Sequence, residues 1–149
     1  MVSCLLIRSD DENIVHMAEP RLIYLPKILD DRGNLTFVEE KKHLPFVINR
    51  VYWIYDVPGG EFRGSHAFRK NQEMIAALSG SFDVVLHDGR REYRFSLNRS
   101  YDAVYVPNMV WRRMENFSTN SLAIVLASTH FDAGDYIRDY DLFLKEVQS

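Results

Sequence analysis

Beyond residue 20 the chain is built of short runs in which β-branched and aromatic residues alternate with polar ones, and each run ends in a turn signal. "RLIYLPKILD" leads into the turn "DDRGN" and then "LTFVEE". "FVINRVYWIYDV" breaks at "PGG" and is followed by "RGSHAF". The stretch "EMIAALSGSFDVVLHDGRREYRFSL" predicts strand, glycine turn, strand, Asp-Gly hairpin and strand. "DAVYVP", "WRRMENF" and "LAIVLAST" each supply one more. Strands this frequent, with polar turns roughly every eight to twelve residues, predict an all-β sandwich or barrel. Only the tail changes period. In "DAGDYIRDYDLFLKEVQS", Tyr136, Ile137, Tyr140, Leu142, Phe143 and Val147 fit one or two helical turns, with Asp132 or Asp135 as the cap.

The 149 residues suit one domain. Residues 1–19 read as a loose arm, or a strand that docks elsewhere, and residues 20–149 as a single domain. A chain of this size buries enough of its own surface to stand without a disulfide or structural metal. Cys4 is the only cysteine, so it has no internal disulfide partner and belongs to no zinc cluster. A net charge of −3 without a basic block disfavours a nucleic-acid face. The opening "MVSCLLIRSDDENIV" has too short an apolar run, followed too soon by acids, for a signal peptide or membrane span. The expectation is a cytoplasmic protein without membrane contact.

In "GEFRGSHAFRKNQEMIAALSG", Gly60, His66, Glu73 and Gly80 stand at the spacing of the first cupin motif, which this stretch resembles. Phe68 takes the place of that motif's second histidine. Downstream, "PNMVWRRMEN" resembles the second motif: Pro107 and Asn116 are in place, while Met109 replaces its glycine and Arg112 its histidine. Residues two apart on a strand face the same way, so His-x-His sets two imidazoles on the inner wall of a barrel. A glutamate on the next strand and a histidine from the second motif complete a metal site. Here Phe68 cannot ligate and Arg112 carries a permanent positive charge, which leaves His66 and Glu73. The expected site is a metal-free pocket with no cofactor. The fold this resemblance implies is a small RmlC-like jelly-roll barrel with a short C-terminal helix.

Longer stretches narrow the resemblance. "RVYWIYDVPGGEFRGSHAF", "LSGSFDVVLHDG", "YVPNMVWRRMENFS" and "ASTHFDAGDYIRDYDLF" are similar to the WxcM-like sugar 3,4-ketoisomerases, over about residues 21–143. The resemblance implies a metal-independent homodimer that acts on thymidine-diphosphate 4-keto-6-deoxyglucose in bacterial surface-glycan synthesis. That family's motif is Arg-Gly-x-His-Ala-His-Lys, and both histidines serve its catalysis. This chain keeps the first as His66 and has Phe68 for the second.

Moving a ketone from C4 to C3 is a double proton transfer through an enediol, and it needs a base, an acid and a partner for the developing charge. His66 suits the base, Arg112 the charge, and Tyr52 or Tyr55 a proton relay; three apart on a strand, those tyrosines face opposite ways. The duty of the missing histidine falls to a tyrosine, Glu73 or a water. Arg63, Lys70 and Arg113 are expected at the diphosphate, with Glu73 and Trp111 also contacting substrate and Trp53, Phe62 or Trp111 stacking on the base. Against these stand plainer readings: His66 as a satisfied barrel histidine, Phe68 as core, Glu73 as an edge-strand charge, and "RREYR" as a solvated face. His43 and His87 look structural, and Asp30 to Asn34 is a turn by composition. A sugar-nucleotide-binding cupin with weakened catalysis is one alternative. A 3,5-epimerase pairing His66 with Asp83 or Asp102 is another.

Overall fold

The computed structural model describes residues 18–149, so the arm expected over 1–19 lies almost wholly outside the described residues. The chain forms β1 (Arg21–Tyr24), β2 (Lys27–Ile28), β3 (Leu35–Thr36), β4 (Arg50–Tyr55), β5 (Arg63–Phe68), β6 (Glu73–Ser79), β7 (Phe82–His87), β8 (Glu92–Leu97), β9 (Asp102–Val106), β10 (Trp111–Glu115), β11 (Leu122–Ala127) and β12 (Tyr136–Ile137), then the helix α1 (Tyr140–Gln148). Two five-stranded antiparallel sheets face each other, in the orders β1-β9-β6-β11-β4 and β12-β5-β10-β7-β8, and β2 and β3 form a separate hairpin. This is a jelly-roll sandwich closed by one C-terminal helix.

The burial pattern explains the hydrophobic runs. Between the sheets, Ile75, Val84, Leu86, Val104 and Val125 form the main core. On the outer face of the first sheet, Met74, Ala76 and Tyr105 pack under Leu25, Leu44 and Phe46. Central β6 is therefore covered on both faces and reads as an unbroken apolar run from Met74 to Ala77. Edge strand β4 keeps strict alternation: Tyr52 and Ile54 turn inward, while Val51, Trp53 and Tyr55 turn out. The β6–β7 turn needs Gly80, whose φ is +66° and where an added Cβ would lie 2.8 Å from Ser121 Cα.

The tail departs from the helical reading. Tyr136 and Ile137 are a strand, paired with Phe68 and Ala67 at the edge of β5. The cause is Asp135, which caps no helix. Its carboxylate accepts hydrogen bonds from the backbone N–H groups of Lys70 (2.8 Å) and Asn71 (3.0 Å), and its carbonyl accepts one from Arg69 N (3.0 Å). Tied this way, the backbone runs extended beside β5. Asp132 caps a single 3₁₀ turn, and the helix starts only after Asp139, whose side chain accepts from Leu142 N at 2.8 Å. α1 then buries Phe143 against Ala67 and Ile137 on the outer face of the second sheet.

Replacing Asp135 with alanine leaves two backbone donors without their acceptor and releases the tail from β5. Urea unfolding should show a loss of about 2–4 kcal/mol.

Candidate active site

The two ends of β5 differ in geometry. His66 pairs with Arg112, and Gly64 pairs with Arg113, so Ser65 is an extra residue, a bulge with φ of +65°. The bulge bends the strand end outward and brings His66 to the wall of a cavity of about 630 Å³ between the sheets. Arg112 faces the same space from β10. Glu73, on β6, and Tyr52, on β4, face it from the opposite sheet. Phe68 packs behind this wall: its ring lies 4.9 Å from that of His66, and the Arg112 guanidinium sits 4.6 Å above its face.

Glu73 is fully buried, and both of its oxygens are taken. Oε1 accepts from Tyr52 Oη (2.7 Å) and Asn71 Nδ2 (3.0 Å), and Oε2 pairs with Arg112 Nη1. A charge this deep persists only when paired and hydrogen-bonded. Burial lowers the Arg112 pKa to about 10, which leaves it cationic near neutral pH. Its Nε and Nη2, together with Arg50 Nε and His66 Nε2, have no hydrogen-bond partner among the described residues. Buried polar atoms are nearly always satisfied, so four orphans around one cavity point to a polar ligand. Burial, then the positive charges of Arg112 and Arg138, hold the His66 pKa down at about 3; a weaker hydrogen bond with the Gly64 backbone acts the other way. The imidazole is neutral at cell pH, and its Nε2 has no hydrogen-bond partner among the described residues.

Of the residues singled out from the sequence, the cavity brings together His66, Arg112, Tyr52, Glu73 and Arg63, with Trp53 and Phe62 on its lining. Tyr55 faces away, 61% exposed, and lines a neighbouring groove of about 350 Å³ with Trp53, Phe62 and Arg63. Trp111 and Arg113 also point away, because the alternation of β10 that turns Arg112 inward turns both of them out. Trp111 packs on α1, 5.2 Å from the Tyr140 ring, and Arg113 pairs with Glu115 at 2.7 Å. Lys70 is exposed, its backbone held by Asp135. Asp83 is engaged by Ser96 (2.6 Å) and Arg94 (3.2 Å), and neither it nor Asp102 lines the cavity. His43 Nδ1 accepts from Glu39 N, and His87 Nδ1 from Gly89 N. No group of three or more His, Cys, Asp or Glu side chains gathers in a metal-holding cluster among the described residues.

Sequence reasoning missed Arg50, Tyr136 and Arg138, all on the cavity wall. Arg50 had a signal: it lies two residues before Tyr52 on an alternating strand, hence on the same face. Tyr136 and Arg138 share that spacing, which the helical reading of the tail concealed.

Comparison with known proteins agrees with this geometry. Residues 18–148 match the family described as WxcM-like, C-terminal (FdtA). The chain belongs to this WxcM-like family. It is similar to the TDP-4-oxo-6-deoxy-alpha-D-glucose-3,4-oxoisomerase of Aneurinibacillus thermoaerophilus, 42% identical over 129 residues that cover 87% of this chain and 93% of that one. Among solved structures it resembles a 3,4-ketoisomerase from Helicobacter canadensis, with TM-score 0.85, 36% identity, and coverage of 88% of this chain and 98% of that one. It also resembles a sugar 3,4-ketoisomerase from Thermoanaerobacterium thermosaccharolyticum crystallised with TDP, with TM-score 0.84, 34% identity, and coverage of 91% and 97%. The WxcM-like fold thus accounts for nearly the whole described chain.

A histidine held neutral in the fold but free to protonate when unfolded makes stability pH-dependent. The contribution is full above the ordinary histidine pKa near 6.5 and is lost as pH falls from there toward 3. Between pH 7 and pH 5 this amounts to about 2 kcal/mol. Chemical denaturation at the two pH values should show that loss, and His66→Gln should reduce it.

Proposed function

We propose that the chain is a sugar-nucleotide 3,4-ketoisomerase, moving the keto group between C4 and C3 of a thymidine-diphosphate-linked 4-keto-6-deoxy hexose by proton transfer through an enediol, in bacterial surface-glycan synthesis. The observation that carries the reading is the neutral His66 imidazole sharing one cavity with Arg112, a guanidinium with unsatisfied N–H groups. Both the curated relative and the solved structures bear 3,4-isomerase names, and one was crystallised with TDP.

In this reading His66 removes the C3 proton, which the neighbouring carbonyl makes acidic, and Arg112 receives the negative charge that gathers on O4. Glu73 and Tyr52 hold the guanidinium in place. Arg63, Arg50 and Arg138 suit the diphosphate: all three line the cavity, and none has a salt-bridge partner among the described residues. A bound diphosphate offsets their charge, which moves His66 back toward a more basic range. The exposed faces of Trp53 and Phe62, at the junction of the cavity and the groove beside it, suit the nucleobase. Such a substrate, made from intracellular nucleotides, goes with a cytoplasmic location. Among the described residues no helix is long and apolar enough to cross a membrane.

Incubation with thymidine-diphosphate 4-keto-6-deoxyglucose in deuterated water, followed by NMR at C3 and C4, should show deuterium uptake and a 3-keto product. Tight TDP binding with neither signal would favour a binding cupin instead, a reading that Phe68 supports because its ring can neither donate nor accept a proton. His66→Asn should lower kcat by about 10²–10⁴-fold while TDP affinity stays within a few-fold.

We propose that two copies of the chain pair through the exposed face of β4. Val51, Trp53 and Tyr55 stand out from it, and Trp53 and Tyr55 border an apolar groove of about 270 Å³ with Leu78, Leu122 and Ile124. Sedimentation should give a dimer for the native chain and a monomer for Leu78→Glu.

A further inference from the structure

Isomerisation takes one proton off C3 and sets one on C4, and of the two rings packed on His66 only one has a proton to give. Phe68 lies 4.9 Å away and Tyr136 lies 5.0 Å away, centre to centre. Tyr52, the other cavity tyrosine, has its O–H committed to buried Glu73 at 2.7 Å, and burial raises its pKa. The Tyr136 hydroxyl has no hydrogen-bond partner among the described residues, and its ring is part of the cavity wall. Positive charge stands beside it: the Arg138 guanidinium lies 4.4 Å over its ring, and Arg112 faces the same space.

Resting on the isomerase reading, we propose that Tyr136 is the catalytic acid that protonates C4. His66 first takes the C3 proton; the C3–H pair becomes the C3=C4 bond, and the carbonyl pair moves to O4 beside Arg112. The O3 proton passes to O4. The electrons on O3 then form the C3 carbonyl, the C3=C4 pair takes the Tyr136 hydroxyl proton at C4, and a phenolate is left near Arg138. Transfer from the His66 imidazolium to that phenolate restores both side chains, so protons and electrons balance with no external reactant. The arrangement gives β12 a purpose beyond closing the sheet: it carries the acid to the face of the base.

Tyr136→Phe removes only a hydroxyl without a described partner, so folding and TDP affinity should stay close to native. His66 is partly exposed, so a proton taken from C3 still exchanges with solvent. In deuterated water the variant should keep C3 exchange within about five-fold of native while product formation falls at least about 30-fold. Turnover within three-fold of native, exchange and turnover falling in equal proportion, or loss of TDP binding would each overturn the assignment. A native chain that neither exchanges nor converts substrate would overturn the isomerase reading itself, and the assignment with it. That outcome is read from the native protein alone, so the two failures are distinguishable.

Discussion

The pairing of Glu73 with Arg112 sets the terms for the rest of the molecule. The two side chains come from opposite sheets and meet in the interior, nearly or wholly out of contact with solvent. Either one alone would be an uncompensated charge in a low-dielectric core, so the pair joins β6 to β10 across the sandwich. It also prevents the apolar core from closing at that end. Ile75, Met114 and Val125 join the core to the cavity wall, and at that end the sheets leave a cavity lined by both apolar and charged side chains.

What surrounds the pair follows from its needs. Tyr52 and Asn71 satisfy the remaining carboxylate positions, and the face of Phe68 supports the guanidinium from behind. Burial first, and then the positive charges of Arg112 and Arg138, keep the neighbouring imidazole neutral. A residue that ties two sheets together thus also contributes to the protonation state of the imidazole beside it. Asn71 extends the connection outward: its Oδ1 accepts from Thr129, and its backbone N–H bonds Asp135, which starts the strand carrying Tyr136. Structural anchoring and site geometry are the same set of hydrogen bonds here.

The departures from sequence reasoning have particular causes. In the sequence Glu73 reads as an edge charge or a substrate contact, since spacing alone does not say that β6 is central or that an arginine arrives from β10. Trp111 and Arg113 stand beside Arg112 in the chain, yet a strand sends alternate residues to opposite faces, and here α1 covers the other face. The tail's apolar positions did fit a helical period. Asp135 overrode it by bonding two N–H groups that lie about 65 residues earlier in the chain.

From the sequence by itself came the run of short strands, the glycine turn at Gly80, the terminal helix, the cupin resemblance and the expectation that His66 and Arg112 share one pocket. These are local properties: two-residue alternation, turn chemistry and motif spacing all act within a few residues. Tertiary structure alone decided which tyrosine meets Glu73, which arginines surround the cavity without a described ion-pair partner, and that Tyr136 lies against His66. Those facts depend on strands distant in the chain being brought side by side, and on the face that each side chain then presents, which no local pattern encodes.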